Sequence, residues 1–143
     1  MTRMRCIIPI RILKLDDGFH LLVNIRVNGK HARLLIDTGA SKTVFDKQRV
    51  KRFIRNKKIE KHDKLSTGLG TSNMKSHVTV LEKILLGNIE IRNYKTVVLD
   101  LSHVNKAYRE AKQKPIDGVL GSDLLKKHSA IIDFGKKMMR LSK

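Results

Sequence analysis

One cysteine, Cys6, is all that this chain of 143 residues contains, so no disulfide can form within it. A lone thiol agrees with a reducing compartment, and the cytoplasm is the expected location. Tryptophan is absent and aromatic residues make up only 4% of the sequence. With 41% hydrophobic residues overall, the chain must build its core from aliphatic side chains. Long apolar runs are missing too, which excludes a membrane-spanning helix, and no membrane insertion is expected. The stretch Met1 to Pro9 is basic but lacks an apolar region of signal-peptide length. Repeats, linkers and low-complexity segments are also lacking. The expectation is one domain over residues 1–143, long enough to bury roughly 68–70% of its unfolded-chain surface.

Acidic residues are scarce: 13 Asp and Glu face 31 Lys and Arg, for a net charge of +18. Lys47, Arg49, Lys51, Arg52, Arg55, Lys57, Lys58, Lys61 and Lys64 crowd one segment against Glu60 and Asp63. Such a balance attracts nucleic acid, anionic membranes or acidic substrates. The plainer reading is a solvated surface, and nucleic acid remains a conceivable partner that no motif supports. The six histidines are scattered without metal-ligand spacing, so neither a metal nor a cofactor is expected. Cys6 has no Cys–His context for nucleophilic chemistry and is expected to be buried.

What the chain does have is Leu35-Ile36-Asp37-Thr38-Gly39-Ala40-Ser41, an apolar strand that runs into an aspartate and then into a small-residue turn. Charge at the end of an apolar strand is costly unless hydrogen bonds or a shared proton compensate. Thr38 offers a hydroxyl, Gly39 leaves room for backbone or ligand, and Ala40-Ser41 keep the turn narrow.

Around this stretch the pattern predicts strands over Ile7–Leu15 and Phe19–Val27, a hairpin turn at Asn28-Gly29, and a strand over His31–Ile36 that delivers Asp37. Asp46 to about Lys58 places Val50, Phe53 and Ile54 at helical spacing and reads as a short amphipathic helix or an irregular segment. A long strand is expected from about Met74 to Leu86, followed by separate strands over Ile89–Ile91 and Tyr94–Leu101. Ser102 caps an expected helix to about Gln113, with Val104, Ala107, Tyr108 and Ala111 inward, ended by Pro115. A strand over Ile116–Leu120, a helix Asp123–Lys127 capped by Ser122, and a hairpin of Ala130–Phe134 with Met138–Leu141 complete the reading.

Leu34-Leu35-Ile36-Asp37-Thr38-Gly39-Ala40-Ser41 early and Ile116-Asp117-Gly118-Val119-Leu120-Gly121 late together resemble the retropepsin-like, retroviral-type single-domain aspartic proteases. Thr67-Gly68-Leu69-Gly70 between them is similar to the flap region of that family. The resemblance implies a mostly β fold: a closed acid-protease-like barrel or sandwich with two or three short helices and one lobe per chain. It also implies peptide-bond hydrolysis by an activated water, with Asp37 as the catalytic carboxylate. Thr38 then braces two such loops, and Gly39 packs closely and contacts substrate backbone. Ala40 and Ser41, with Gly68, Leu69 and Gly70 as flap, Val119 and Leu120 as cleft walls and Gly121 beside the loop, are the substrate-binding candidates. Ser41 stands where viral members often carry an acid, so contacts inferred from those enzymes do not transfer.

The mechanism needs two carboxylates sharing one proton. Asp16, Asp17, Asp46, Asp63, Asp100, Asp117, Asp123 and Asp133 all lack a following Thr-Gly or Ser-Gly. Asp117-Gly118 comes nearest, and a turn aspartate accounts for it. The expectation is therefore a homodimer acting on an extended peptide, with one Asp37 from each subunit. The terminal strands, Cys6–Ile10 and Met138–Leu141, are the candidate inter-subunit sheet. The competing reading is a catalytically silent dimerisation or nucleic-acid-binding module on the same fold.

Overall fold

The structure, a computed structural model, describes residues 5–55, 59–61 and 76–143. Three long strands open the chain: β1 (Arg5–Leu15), β2 (Gly18–Val27) and β3 (Lys30–Ile36). They alternate between buried and exposed side chains, as a half-buried sheet requires. Asn28 (φ 49°) and Gly29 (φ 81°) make the β2–β3 turn, both left-handed as a two-residue hairpin of this twist demands. The Asn28 side chain does more than turn the chain. Its Oδ1 accepts the Lys83 N–H at 3.0 Å and its Nδ2 donates to the Phe53 carbonyl at 2.8 Å.

Next come β4 (Val44–Asp46), a single 3-10 turn (Arg49–Arg52) and β5 (Glu60–Lys61). The sequence left a short amphipathic helix or an irregular segment open here, and the described part is a single 3-10 turn in otherwise irregular chain. Val50, Phe53 and Ile54 are buried as expected, but the turn is held by Asp46, whose Oδ2 accepts the Gln48 and Arg49 N–H groups. β6 (His77–Leu86) and β7 (Ile89–Leu99) then form the longest hairpin. The two short strands expected within β7 are one. The chain passes Asn93 in the left-handed conformation (φ 51°), which asparagine tolerates, and pairing resumes in the same register beyond it.

The chain then runs through α1 (Ser102–Glu110), β8 (Gly118–Leu120), α2 (Ser122–Lys127), β9 (Ile131–Asp133) and β10 (Met138–Ser142). Strand order is β5-β6-β7-β4-β8-β3-β2-β1-β10-β9, and a further β2–β6 pairing closes six of the strands into a barrel. The fold is mostly β with few helices, as expected. Among the described residues, no helix is long and apolar enough to cross a membrane.

Two helix starts differ from expectation. Ser102 lies inside α1, and its N–H is bonded by Asp100 Oδ1 at 2.8 Å; neither Ser102 nor Ser122 supplies a side-chain cap. Ala107 and Ala111 are exposed. Val104 and Tyr108 face inward, joined by Asn105, whose side chain both donates to and accepts from the Ile116 backbone (3.1 and 2.8 Å).

Two apolar clusters result. The larger fills the barrel, with Phe45, Leu34, Leu81, Ile84 and Leu120 fully buried. The second joins Leu22, Val44, Leu99, Leu101, Tyr108, Ile116 and Val119 with Ala40, the alanine of the Asp37 turn. The segment from Ser102 to Lys114 contributes Tyr108, with Val104 packed against it, to the cluster that also holds Ala40.

Candidate active site

β3 and β8 run parallel, with Leu34 opposite Gly118, Leu35 opposite Val119 and Ile36 opposite Leu120. Their ends therefore reach the same rim together. One delivers Asp37 and the other delivers Gly121. Asp37, Thr38 and Gly39 are exposed there, although the strand residues before them are buried or half-buried.

The turn is fixed from within and from the side. Gly39 N–H donates to Asp37 Oδ1 at 2.9 Å, and Ala40 N–H donates to the Asp37 carbonyl at 3.1 Å. Asp37 N–H reaches the Leu120 carbonyl at 3.0 Å, and Ser122 N–H reaches the Ala40 carbonyl at 2.7 Å. A carboxylate presented to solvent on a rigid strand end can exchange a proton with water or with a second carboxylate.

Gly121 sits so close to the neighbouring loop that a Cβ there would lie 2.6 Å from the Lys42 carbonyl carbon and oxygen. Gly118 meets the Val44 carbonyl more tightly still. Only glycine allows these two backbones to approach. Val119 and Leu120, expected as cleft walls, are buried at 8% and 1% exposure, with side chains in the two cores. What β8 gives the turn is its backbone. Ser41 is exposed beyond the buried Ala40, while Gly68, Leu69 and Gly70 lie outside the described residues.

Asp117, the nearest imitation of the Asp37 motif, is a buried structural carboxylate rather than a simple turn residue. Its Oδ1 accepts Arg49 Nε at 2.8 Å and Arg52 Nη2 at 3.1 Å, and its Oδ2 accepts the Arg33 N–H at 2.8 Å. Two cations of the basic segment are thus used inside the fold. Asp46 and Asp123 are likewise engaged: Asp46 by Gln48, Arg49 and Leu101 N–H groups, Asp123 by Thr43 and Tyr94. Cys6 is buried, with its thiol against the Leu86 carbonyl at 3.4 Å. Among the described residues, no group of three or more His, Cys, Asp or Glu side chains is arranged to hold a metal ion.

A model of the aspartyl protease family matches residues 23–124, more than half of the sequence. The chain belongs to the aspartyl protease family. The matched span runs from β2 into α2 and so contains the Asp37 turn, β8 and Gly121. DNA damage-inducible protein 1 of Candida glabrata is 28% identical over 127 residues, a match covering 85% of this chain and 25% of that protein. The chain thus spans about a quarter of the length of that curated relative.

Among solved structures, a retropepsin-like aspartic protease from Rickettsia conorii is similar at a TM-score of 0.59 and 22% identity, over 99% of this chain and 92% of that one. The EIAV protease complexed with the inhibitor HBY-793 is similar at a TM-score of 0.55 and 18% identity, over 80% and 93%. The barrel with its Asp37 turn is a retropepsin-like fold.

The sequence reading did not single out Thr43, Tyr94 or Asp123, nor pair Arg49 and Arg52 with Asp117. Thr43 and Asp123 are 80 positions apart, and no local pattern joins them.

Proposed function

We propose that this aspartyl protease family member is an endopeptidase that acts as a homodimer. Asp37 from each of two copies would share one proton, because like charges at such short range cannot both ionise readily. The ionised partner takes a proton from water as the water attacks the peptide carbonyl, and the protonated partner hydrogen-bonds the developing oxyanion. Thr38 braces the paired turns, and Gly39 and Ser41, exposed on either side of the buried Ala40, line the path of an extended peptide.

The observation that carries this reading is the exposed Asp37 carboxylate on a rigid rim, while Asp46, Asp117 and Asp123 are committed to internal hydrogen bonds. A second carboxylate of equal standing is most simply that of another copy. The far edge of β9 supports such pairing. Among the described residues β9 pairs only with β10, and Ile7, Ile131 and Phe134 around it are 61%, 50% and 57% exposed. An apolar open edge of this kind is normally covered.

The test compares wild type with Asp37→Asn on a mixed peptide pool from acidic to neutral pH. Cleavage by wild type and none by the variant is expected. Equal cleavage by both would reject the catalytic role of Asp37. An intact pool with both proteins would favour the silent dimerisation module instead.

A further inference from the structure

We propose that Thr43, Asp123 and Tyr94 form a positioning brace that sets the Asp37 turn against the start of α2, an inference that rests on the protease reading above. Thr43 lies just beyond the turn and is 1% exposed. Its hydroxyl accepts the Gly121 N–H at 3.0 Å and donates to Asp123 Oδ1 at 2.8 Å, and its N–H donates to the same oxygen at 2.9 Å. The other oxygen, Oδ2, receives the Tyr94 hydroxyl proton at 2.6 Å. Both carboxylate oxygens are thereby used, by three donors from two separate elements, the loop after the turn and β7.

Burial first, and then the bond to Asp123, push the Tyr94 hydroxyl well above its ordinary range, so its proton stays in place as a donor. Charge-assisted bonds of this length are the strong and directional ones.

The brace supplies one of the two contacts that define the rim, the other being a backbone bond. On one side Ser122 N–H holds the Ala40 carbonyl at 2.7 Å; on the other, Thr43 holds Gly121, whose missing side chain lets Lys42 pass. Ala40 and Thr43 therefore bracket Ser41 and Lys42, and both ends are fixed to Gly121-Ser122-Asp123. Cutting the Thr43 bonds frees the second anchor, and cutting the Tyr94 bond loosens the carboxylate that orients Thr43, while the Asp37–Leu120 bond stays intact. The turn then retains its fold but loses its exact aim. Displacement of a reacting group by a fraction of an ångström to one ångström lowers turnover more than binding.

The experiment measures Thr43→Val, Thr43→Ser and Tyr94→Phe against wild type. Kinetics use a fluorogenic peptide whose sequence is one that wild type cleaves in the mixed pool. Amide hydrogen exchange is followed at Gly121, Ser122 and, as a barrel reference, Leu34 and Ile84. Thr43→Val is expected to lower kcat about 10–100-fold with KM nearly unchanged, Thr43→Ser to restore it, and Tyr94→Phe to fall between. Exchange should quicken at Gly121 and Ser122 alone.

Wild-type kcat and unaltered exchange in both Thr43→Val and Tyr94→Phe would overturn the brace. So would loss of protection at Leu34 and Ile84 together with activity in both variants, since that marks a merely structural role. If wild type cleaves nothing, the protease reading fails by itself, and the exchange measurement still decides whether the brace exists.

Discussion

Arg49 donates from Nε to Asp117 Oδ1 at 2.8 Å, joining the basic 3-10 turn to the strand that flanks the Asp37 turn. The Asp117 side chain is 3% exposed, whereas those of Arg49 and Arg52 are 31% and 45% exposed, so the acid carries most of the burial.

Removing that acid should cost more than removing either arginine. Asp117→Ala leaves the Arg33 N–H without its acceptor and two guanidinium groups without a counter-charge. The expected loss is about 2–4 kcal/mol in urea unfolding, against about 1 kcal/mol for Arg52→Ala, which still leaves Arg49 in place. Equal costs for the two variants would contradict this assignment.

Gly121→Ala should be among the most damaging single-methyl additions in the chain. The new Cβ would press on the Lys42 carbonyl at 2.6 Å, and backbone on both sides cannot swing away as a side chain can. A loss of about 3 kcal/mol or more is expected. Gly29→Ala meets no atom within 4 Å and is strained only through its φ of +81°, so it should cost about 1 kcal/mol. Thermal unfolding of the two variants side by side gives the comparison.

Both tyrosines should titrate late. Burial pushes Tyr108 up to about 12, and Tyr94 higher, through burial and its bond to Asp123. An acid whose folded-state pKa is raised stabilises the fold fully below the unfolded value near 10, and that contribution is lost as pH rises through the folded value. Tyrosinate absorbance should therefore stay low through pH 11 in the folded protein and rise near 10 in urea. A folded-state rise near pH 10 would show that neither hydroxyl is protected. Tyr108→Phe should flatten the alkaline loss of stability.

If the β9 edge joins two copies, association must overcome the repulsion of two chains of +18 each. Added salt should therefore tighten the dimer, and low ionic strength should loosen it. Ile131→Lys adds charge to an exposed apolar position at that edge and is expected to shift sedimentation toward monomer by at least tenfold in Kd, with the barrel intact. A dimer unaffected by both Ile131→Lys and salt would place the contact elsewhere.

Much of this molecule is written in short stretches. The Asn28-Gly29 hairpin, the strand into Asp37 and the closing hairpin of β9 and β10 each follow from neighbours in sequence: turn residues with the needed φ, and period-two burial. For the same reason the Asp-Thr-Gly turn could be recognised, since its Gly39–Asp37 bond spans two residues. The segment around Val50 stayed open between a helix and an irregular stretch, and Ser102 is not the cap its residue type suggested, because Val50, Phe53 and Ser102 suit several local structures, and Asp46 and Asp100 decided among them.

Tertiary structure alone determined what Asp117 does. The missing Thr-Gly already sets Asp117 apart from Asp37 in the sequence, but not its partner: Arg49, 68 positions away, donates to the buried Asp117, while Asp37 stays exposed at the rim. Barrel closure likewise brought Thr43 to Asp123 across 80 residues. Charge pairing between distant segments depends on where strands cross, and that position is set by the packing of the whole core rather than by any run of neighbours.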